Sequence, residues 1–133
     1  MILIDTNVLL DVVTDDPRWA AWSIGQLDAA SLKDRLAIND VVYAELSVRF
    51  STIEALDGML DEIGLTLAAM PRPALFLAAK AFAQYRAAGG ARTGVLPDFF
   101  IGAHAMVTGS TLLTRDARRY RTYFPSIALI APS

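Results

Sequence analysis

The chain has 133 residues, 54% of them hydrophobic, and a net charge of −2. This predicts one domain, residues 1–133, with ample apolar side chains for a core. The lack of cysteine excludes disulfides and thiolate metal sites, and a single histidine argues against a zinc site. No apolar run reaches the ~20 residues that a membrane span needs, and no signal peptide is visible, so we expect a cytoplasmic protein without membrane contact.

The predicted elements alternate between strands and helices. Residues 1–4, MILI, form a continuous apolar run typical of a buried parallel strand. Further strands are predicted at residues 35–39, 65–70, 110–114 and 127–132. Helices are predicted at residues 6–13, 16–32, 40–50, 52–64, 73–90 and 96–109, with a helical turn or two in 115–124. This alternation predicts an α/β domain with a mainly parallel sheet.

Several acidic residues fall near the ends of these elements. Asp5 directly follows the first strand, and Asp116 comes two residues after the fourth. Glu45 lies in the predicted helix 40–50, and Asp98 follows Pro97 at the start of the helix 96–109. Active sites of open parallel sheets lie beyond the carboxyl ends of the strands. These positions are therefore candidates for a functional site.

Taken singly, these acids also have structural interpretations. Asp116 could cap a helix, Asp98 could be a first-turn carboxylate that the helix dipole stabilises, and Glu45 could lie at the surface. Taken together, four carboxylates at one sheet edge would repel each other and raise each other's pKa. A divalent cation would remove that penalty, and ligation by oxygen alone suits Mg²⁺ or Mn²⁺.

Four segments of the chain resemble the PIN domain, specifically the VapC-type toxins of bacterial toxin–antitoxin pairs. They are MILIDTNVLLD, INDVVYAEL, LPDFFIGAHA and TLLTRDARRYRTYFPSIALIAP, and the resemblance covers essentially the whole chain. It implies a three-layer α/β/α sandwich around a parallel sheet of about five strands. It also implies a metal-dependent endoribonuclease.

The resemblance assigns roles to individual residues. Asp5 and Asp98 would be the firmest ligands of Mg²⁺ or Mn²⁺, and Glu45 and Asp116 would complete the catalytic set. Three polar residues beside these acids, Thr6, Asn7 and Thr114, would orient ligands or water. We expect in-line attack of water on an RNA phosphodiester, with Glu45 or Asp116 accepting its proton and with 5′-phosphate and 3′-hydroxyl products.

An arginine-rich segment, RDARRYR, provides local positive charge in a chain that is not basic overall. It is either a solvated helix face or a surface that holds RNA phosphates. The candidate RNA contacts are Arg115, Arg118, Arg119 and Arg121, followed by Arg86 and Arg92.

The resemblance further implies homodimers and a VapB-like antitoxin that wraps the toxin. A groove between the helices at 17–31 and 39–62 is the predicted antitoxin site. Trp19 and Trp22 share a helix face, which could pack on the core or on such a partner. His104 is predicted to pack between helices rather than to bind metal.

Two other functions compete with this interpretation. An Asp after the first strand also occurs in aspartyl-phosphate enzymes and receivers, but a phosphatase of the haloacid dehalogenase type needs an Asp where this chain has Asn7. A receiver needs a late lysine, and the last one here is Lys80. A PIN-like module that only binds RNA or protein would not need the intact set of four carboxylates.

Overall fold

Five short strands and seven helices alternate in the computed structural model, which describes residues 1–133 apart from the side chain of Thr93. The strands are β1 (Ile2–Ile4), β2 (Leu36–Ile38), β3 (Leu65–Leu67), β4 (Thr111–Leu113) and β5 (Leu129–Ile130). The helices are α1 (Thr6–Val13), α2 (Ala20–Ser31), α3 (Asp40–Ser47), α4 (Ile53–Ile63), α5 (Arg72–Ala87), α6 (Leu96–Thr108) and α7 (Arg118–Tyr123). A 3₁₀ turn, Thr93–Val95, precedes α6.

The strands form one sheet in the order β3-β2-β1-β4-β5, and all neighbouring strands are parallel. Helices cover the sheet in a three-layer α/β/α arrangement, so the predicted fold class is confirmed. The three central strands are almost entirely buried, as their continuous apolar sequences indicate. The carboxyl ends of β1 and β4 lie side by side in the middle of the sheet.

The predicted elements exist, but most are shorter than predicted. The helix predicted from residue 16 begins at Ala20, because the Asp16 carboxylate accepts hydrogen bonds from the backbone N–H groups of Arg18 and Trp19 in a preceding turn, both at 2.9 Å. The third strand ends at Leu67, which is opposite Ile38 at the end of β2, and the backbone N–H of Ala68 donates one further hydrogen bond, to the carbonyl of Ile38 at 2.8 Å. Helix α4 ends at Gly64 as predicted, with φ of 83°, a conformation that glycine adopts without a Cβ clash.

Helix α6 approaches α7 and the residue after it very closely at Gly102. A Cβ at this position would lie 2.5 Å from the ring of Phe124 and 3.1 Å from that of Tyr120. Glycine therefore permits both aromatic rings to pack against α6 in the core. This packing places the hydroxyl of Tyr120 beside the end of β1.

Among the described residues, the helices fall short of the length and hydropathy that membrane crossing demands.

Candidate active site at the carboxyl ends of the central strands

Asp5 lies immediately after β1 and is 4% exposed. Its Oδ2 accepts hydrogen bonds from Thr114 Oγ1 at 2.8 Å, Tyr120 Oη at 2.9 Å and Asn7 Nδ2 at 3.4 Å. Its backbone N–H donates to the carbonyl of Leu113 at 2.9 Å, which ties it to the end of β4. Three donors on one oxygen fix the rotation of the carboxyl group and turn Oδ1 away from them.

The pKa of Asp5 is raised from 3.8 to about 7, first by burial and then by the nearby charge of Asp98. The hydrogen bonds from Thr114 and Tyr120 favour the ionised form and act in the opposite direction. Burial and the Asp5 charge also raise the pKa of Tyr120 well above 10, so its hydroxyl remains a donor. Among the side chains that the structure describes, no arginine or lysine forms an ion pair with Asp5, so its charge is uncompensated.

Glu45 projects from α3 toward the same edge. Thr6 Oγ1, from the first turn of α1, donates to Glu45 Oε1 at 2.6 Å. The pKa of Glu45 is raised, mainly by burial and to a lesser degree by the charge of Asp98, whereas the Thr6 hydrogen bond lowers it. Glu45 is half-buried, so its carboxylate remains within reach of solvent.

Asp98 lies in the first turn of α6, where Pro97 helps to begin the helix. Arg119 Nη1 of α7 contacts Asp98 Oδ2 at 2.6 Å, and the two side chains are 24% and 33% exposed. Burial raises the pKa of Asp98, the Arg119 contact opposes the rise, and the charge of Asp116 adds to it. Because Asp98 in turn raises the pKa of Asp5 and Glu45, the four predicted carboxylates share one electrostatic environment.

Asp116 completes this edge from the loop after β4. Its backbone N–H donates to Thr114 Oγ1 at 3.1 Å, and Thr114 donates to Asp5. Its carboxylate is exposed and lies 3.6 Å from Arg118 Nε. One threonine therefore couples the positions of two acids.

The three residues predicted to support the acids all lie in this network. Thr6 contacts Glu45, and Thr114 contacts Asp5. Asn7 donates to Asp5 and Thr114, both at 3.4 Å, and its Oδ1 accepts the backbone N–H of Arg115 at 3.1 Å. The DTN sequence after β1 thus links β1 to the loop after β4.

Two residues of this region were not predicted from the sequence. Tyr120 is a buried donor to Asp5, and its only local signal was a position four residues after Asp116, about one helical turn on. Asp11 is 2% exposed. Its carboxylate accepts two hydrogen bonds from the Arg115 guanidinium, at 2.8 and 3.0 Å, and one from Ser23 Oγ at 2.8 Å. An acid inside the apolar helix TNVLLDVV was the available signal for that buried pair.

The four arginines predicted to contact RNA separate in the structure. Arg115 binds Asp11 and lies over the ring of Trp19, 5.4 Å from its centroid, so its guanidinium is engaged within the fold. Arg119 binds Asp98, whereas Arg118 and Arg121 are exposed. The Arg115 guanidinium is thus less accessible to a ligand than those of Arg118 and Arg121, and RNA contact by these arginines stays a prediction.

His104 is 1% exposed, and its Nδ1 lies 3.3 Å from Nδ2 of Asn39. Asn39, rather than Asp40, caps α3 by accepting the backbone N–H of Val42 at 3.0 Å. Burial lowers the pKa of His104. His104 is thus a packing residue, as predicted.

The arrangement is an acidic cluster in which Arg119 contacts Asp98 at 2.6 Å and the exposed Arg118 lies 3.6 Å from Asp116. Among the described side chains, no three acidic or histidine residues stand close enough together to hold a metal ion as they are now oriented. In this orientation Asp98 is engaged by Arg119 at 2.6 Å. The donor chemistry nevertheless suits a hard divalent cation, since all four side chains offer carboxylate oxygens.

Comparison with known structures supports this topology. The chain is similar to VapBC2 from Rickettsia felis bound to a DNA fragment from its promoter (TM-score 0.74, 19% identity, 100% of each chain covered). It is also similar to VapBC-1 from nontypeable Haemophilus influenzae (TM-score 0.72, 17% identity, 98% of each chain). A third likeness is to FitAcB from Neisseria gonorrhoeae (TM-score 0.67, 18% identity, 98% of this chain and 96% of that one).

No curated protein matches this chain by sequence. The family model of the PIN domain, however, matches residues 2–125. This match spans every strand of the sheet except β5 and includes all four acids of the candidate site. The chain belongs to the PIN domain family.

Proposed function

We propose that the chain is a metal-dependent endoribonuclease, the VapC-type toxin of a toxin–antitoxin pair. The observation that carries this proposal is the electrostatic coupling of Asp98 with Asp5, Glu45 and Asp116 near the carboxyl ends of the central strands of a PIN domain. Burial, and to a lesser degree the charge of a neighbouring acid, raises the pKa of Asp5, Glu45 and Asp98, and raised carboxyl pKa values are characteristic of sites that bind a cation or move protons.

The residues of the site fit Mg²⁺ or Mn²⁺ as the cofactor. Asp5 and Asp98 would hold the ion, with Glu45 and Asp116 completing its oxygen ligands directly or through water. A bound ion of this kind lowers the pKa of water and polarises a phosphoryl oxygen. Asp98 would hold the ion in place of its contact with Arg119, which would leave the Arg119 guanidinium available for a phosphate.

The other side chains position this machinery. Thr114 and Tyr120 hold Oδ2 of Asp5, which would leave Oδ1 free to hold the ion. Glu45 is oriented by Thr6, and burial raises its pKa, which makes its carboxylate a stronger base for a proton of water. In-line attack by that water leaves 5′-phosphate and 3′-hydroxyl ends.

The test is cleavage of a mixed RNA sample by the purified chain with Mg²⁺ or Mn²⁺ and with EDTA. We expect cleavage that requires the ion and falls at least about 100-fold in Asp5→Asn and Asp98→Asn. The matched control is Asp28→Asn, an exposed acid on α2 remote from the site, which should cleave like the parent. Cleavage in EDTA, or full activity of Asp5→Asn, would refute the proposal, and binding of RNA without cleavage would indicate a non-enzymatic module.

We further propose that a VapB-like antitoxin docks on α2 and α4 of a toxin homodimer. The similar solved structures named VapBC support this partner. A cavity of about 220 Å³ opens between α1, α2 and α4 and is lined by Val12, Ile24, Leu27, Asp28, Ser31, Glu62 and Ile63. Its mixed apolar and acidic wall suits an amphipathic helix with basic residues.

The two tryptophans lie outside this cavity. Trp22 packs on the core. The ring of Trp19 packs edge-on against the ring of Trp22, 5.9 Å between centroids, and Arg18 and Arg115 lie over it.

Co-expression with the product of the neighbouring small reading frame should give a complex that Ile24→Asp disrupts. Trp19→Ala is the control and should leave the complex intact.

A further inference from the structure

A second concave feature adjoins the acidic site. It is a cavity of about 320 Å³ whose lining residues are Tyr85, Asp116, Arg118, Arg119, Thr122 and Tyr123. Asp116 is one of the four acids, and Arg119 contacts another, Asp98. A ligand in this cavity would therefore lie directly beside the candidate site.

Two tyrosine rings form the aromatic wall of the cavity. The centroids of Tyr85 and Tyr123 are 6.1 Å apart, with the rings 77° from parallel. Both rings pack on the buried Phe99, at 5.4 and 5.2 Å between centroids, and Tyr85 stacks on Phe82 at 5.9 Å. This support fixes the two rings, which are partly buried and both line the cavity.

Two guanidinium groups form the basic wall. Arg119 lies over Tyr85, 5.9 Å from the ring centroid, and extends the aromatic layer with its own planar group. The side chain of Arg118 is 91% exposed and makes one long contact, 3.6 Å, with Asp116. An exposed pair of this kind is weak, so Arg118 is available to a phosphate.

We propose that this cavity binds one unstacked nucleotide of single-stranded RNA next to the phosphodiester that is cut. This inference rests on the proposed function of the adjoining site. Nucleobases splayed out of single strands stack on tyrosine rings and guanidinium planes, and arginines hold the neighbouring phosphates. The volume is at the lower end of the ~300–1,000 Å³ of small-molecule sites, which suits one nucleotide rather than several.

Another cavity, on a different part of the molecule, shows why charge matters to this assignment. That cavity is larger, about 510 Å³, and is lined by Tyr43, Asp57, Leu60, Asp61, Leu65, Thr66 and Leu67. It also contains a tyrosine, but its two aspartates would repel a phosphate. It therefore provides matched control positions.

The test measures fluorescence anisotropy of a labelled ten-nucleotide single-stranded RNA with the full chain in EDTA, where the proposed cleavage is off. Tyr123→Leu should weaken binding about tenfold, whereas Tyr43→Leu should leave it unchanged. Tyr123→Phe keeps the ring and should restore binding. A series of the same RNA, each member with one abasic position, should bind the parent chain less tightly when one particular base is missing. Removal of that base should cause no further loss of affinity in Tyr123→Leu.

A pair of surface variants keeps the test valid should Tyr123→Leu fold poorly. Arg118→Ala and Arg121→Ala remove the same charge from exposed positions of α7, but only Arg118 is among the lining residues. We expect Arg118→Ala to weaken binding severalfold more than Arg121→Ala and to reduce the salt dependence of binding by about one phosphate contact. Equal weakening by both would assign binding to overall charge and overturn the inference.

The cleavage assay separates this inference from the proposed function. Binding that depends on Tyr123 and Arg118 in a chain that never cleaves RNA would leave the cavity assigned and remove the enzyme. Cleavage that needs Asp5 but is accompanied by RNA binding indifferent to Tyr123 would overturn the nucleotide site and leave the cavity to a protein partner.

Discussion

Two aspartate–arginine pairs lie at the same end of the sheet and differ in what they are suited to do. Arg115 and Arg119 belong to one short segment, yet they bind Asp11 and Asp98, respectively. We name these contacts the Asp11 pair and the Asp98 pair. The Asp11 pair has two arginine hydrogen bonds and a third from Ser23 on an acid that is 2% exposed. The Asp98 pair has a single contact at 2.6 Å between partly exposed groups.

The difference shows how burial and hydrogen-bond number separate a structural ion pair from an exchangeable one. A buried acid that loses its partner is left with an uncompensated charge, so the Asp11 pair must remain intact. Arg119 can be exchanged for a divalent cation at much lower cost, because water reaches both groups of the Asp98 pair. The same sequence segment thus stabilises the loop after β4 and supplies a removable charge to the site.

The largest stability effect should come from breaking the Asp11 pair. Arg115→Met leaves the Asp11 carboxylate buried without its cation and should reduce the free energy of unfolding by about 3–5 kcal/mol. Arg119→Met, the matched change in the Asp98 pair, should cost less than about 1 kcal/mol. Urea denaturation of the metal-free variants measures both, and equal losses would remove the distinction between the pairs.

A pH titration extends the comparison to Asp5, an acid held by hydroxyl groups instead of an arginine. Between its ordinary pKa of 3.8 and about 7, folded Asp5 keeps a proton that the unfolded chain has lost. Stability from this group is fully present below pH 3.8 and is lost as the pH rises through 7, by up to about 4 kcal/mol. Thermal unfolding in EDTA should show this decline in the parent chain and a flatter profile in Asp5→Asn.

The control for this titration is addition of the ion. Mn²⁺ at pH 7.5 should raise the Tm of the parent chain and leave that of Asp5→Asn nearly unchanged, since binding to the folded state alone stabilises it. A parent chain whose stability does not change between pH 4 and 8 would contradict the burial of an uncompensated Asp5.

Two hydroxyl deletions compare the supports of the two buried acids. Tyr120→Phe removes the 2.9 Å donor to Asp5 and should weaken Mn²⁺ binding about 10–100-fold, measured by calorimetry. Ser23→Ala removes the 2.8 Å donor to Asp11 and should cost about 1–3 kcal/mol of stability with unchanged Mn²⁺ affinity. If Ser23→Ala weakened Mn²⁺ binding as much as Tyr120→Phe, the Asp11 pair would belong to the metal site.

The smallest effect should come from relieving the Asp98 pair. Arg119→Gln removes the charge that competes with a cation for Asp98 and should strengthen Mn²⁺ binding by roughly threefold, in line with the worth of an exposed ion pair. Calorimetry of Arg119→Gln beside Arg121→Gln provides the comparison, because Arg121 carries the same charge at an exposed position of α7, whereas Arg119 contacts Asp98. Weaker Mn²⁺ binding in Arg119→Gln would mean that Arg119 orders the site rather than competing for it.

The sequence by itself determined the elements and their order. Apolar runs predict five parallel strands, and the Gly64 end of α4 follows from local backbone chemistry. Because parallel strands all present their carboxyl ends at one edge, the positions of Asp5 and Asp116 along the chain were enough to predict that they meet. These features depend on residues close in sequence or on a rule that holds for every parallel sheet.

Only the tertiary structure decided which partner each polar group found. The Tyr120 hydroxyl reaches Asp5 across 115 residues of chain, and Arg115 reaches Asp11 across 104. Such contacts depend on the sheet order, on the close approach at Gly102 and on side-chain rotamers, which no local pattern encodes. The sequence therefore located the acids, whereas the packing of α6 and α7 determined which arginine stabilises the fold and which remains available to the site.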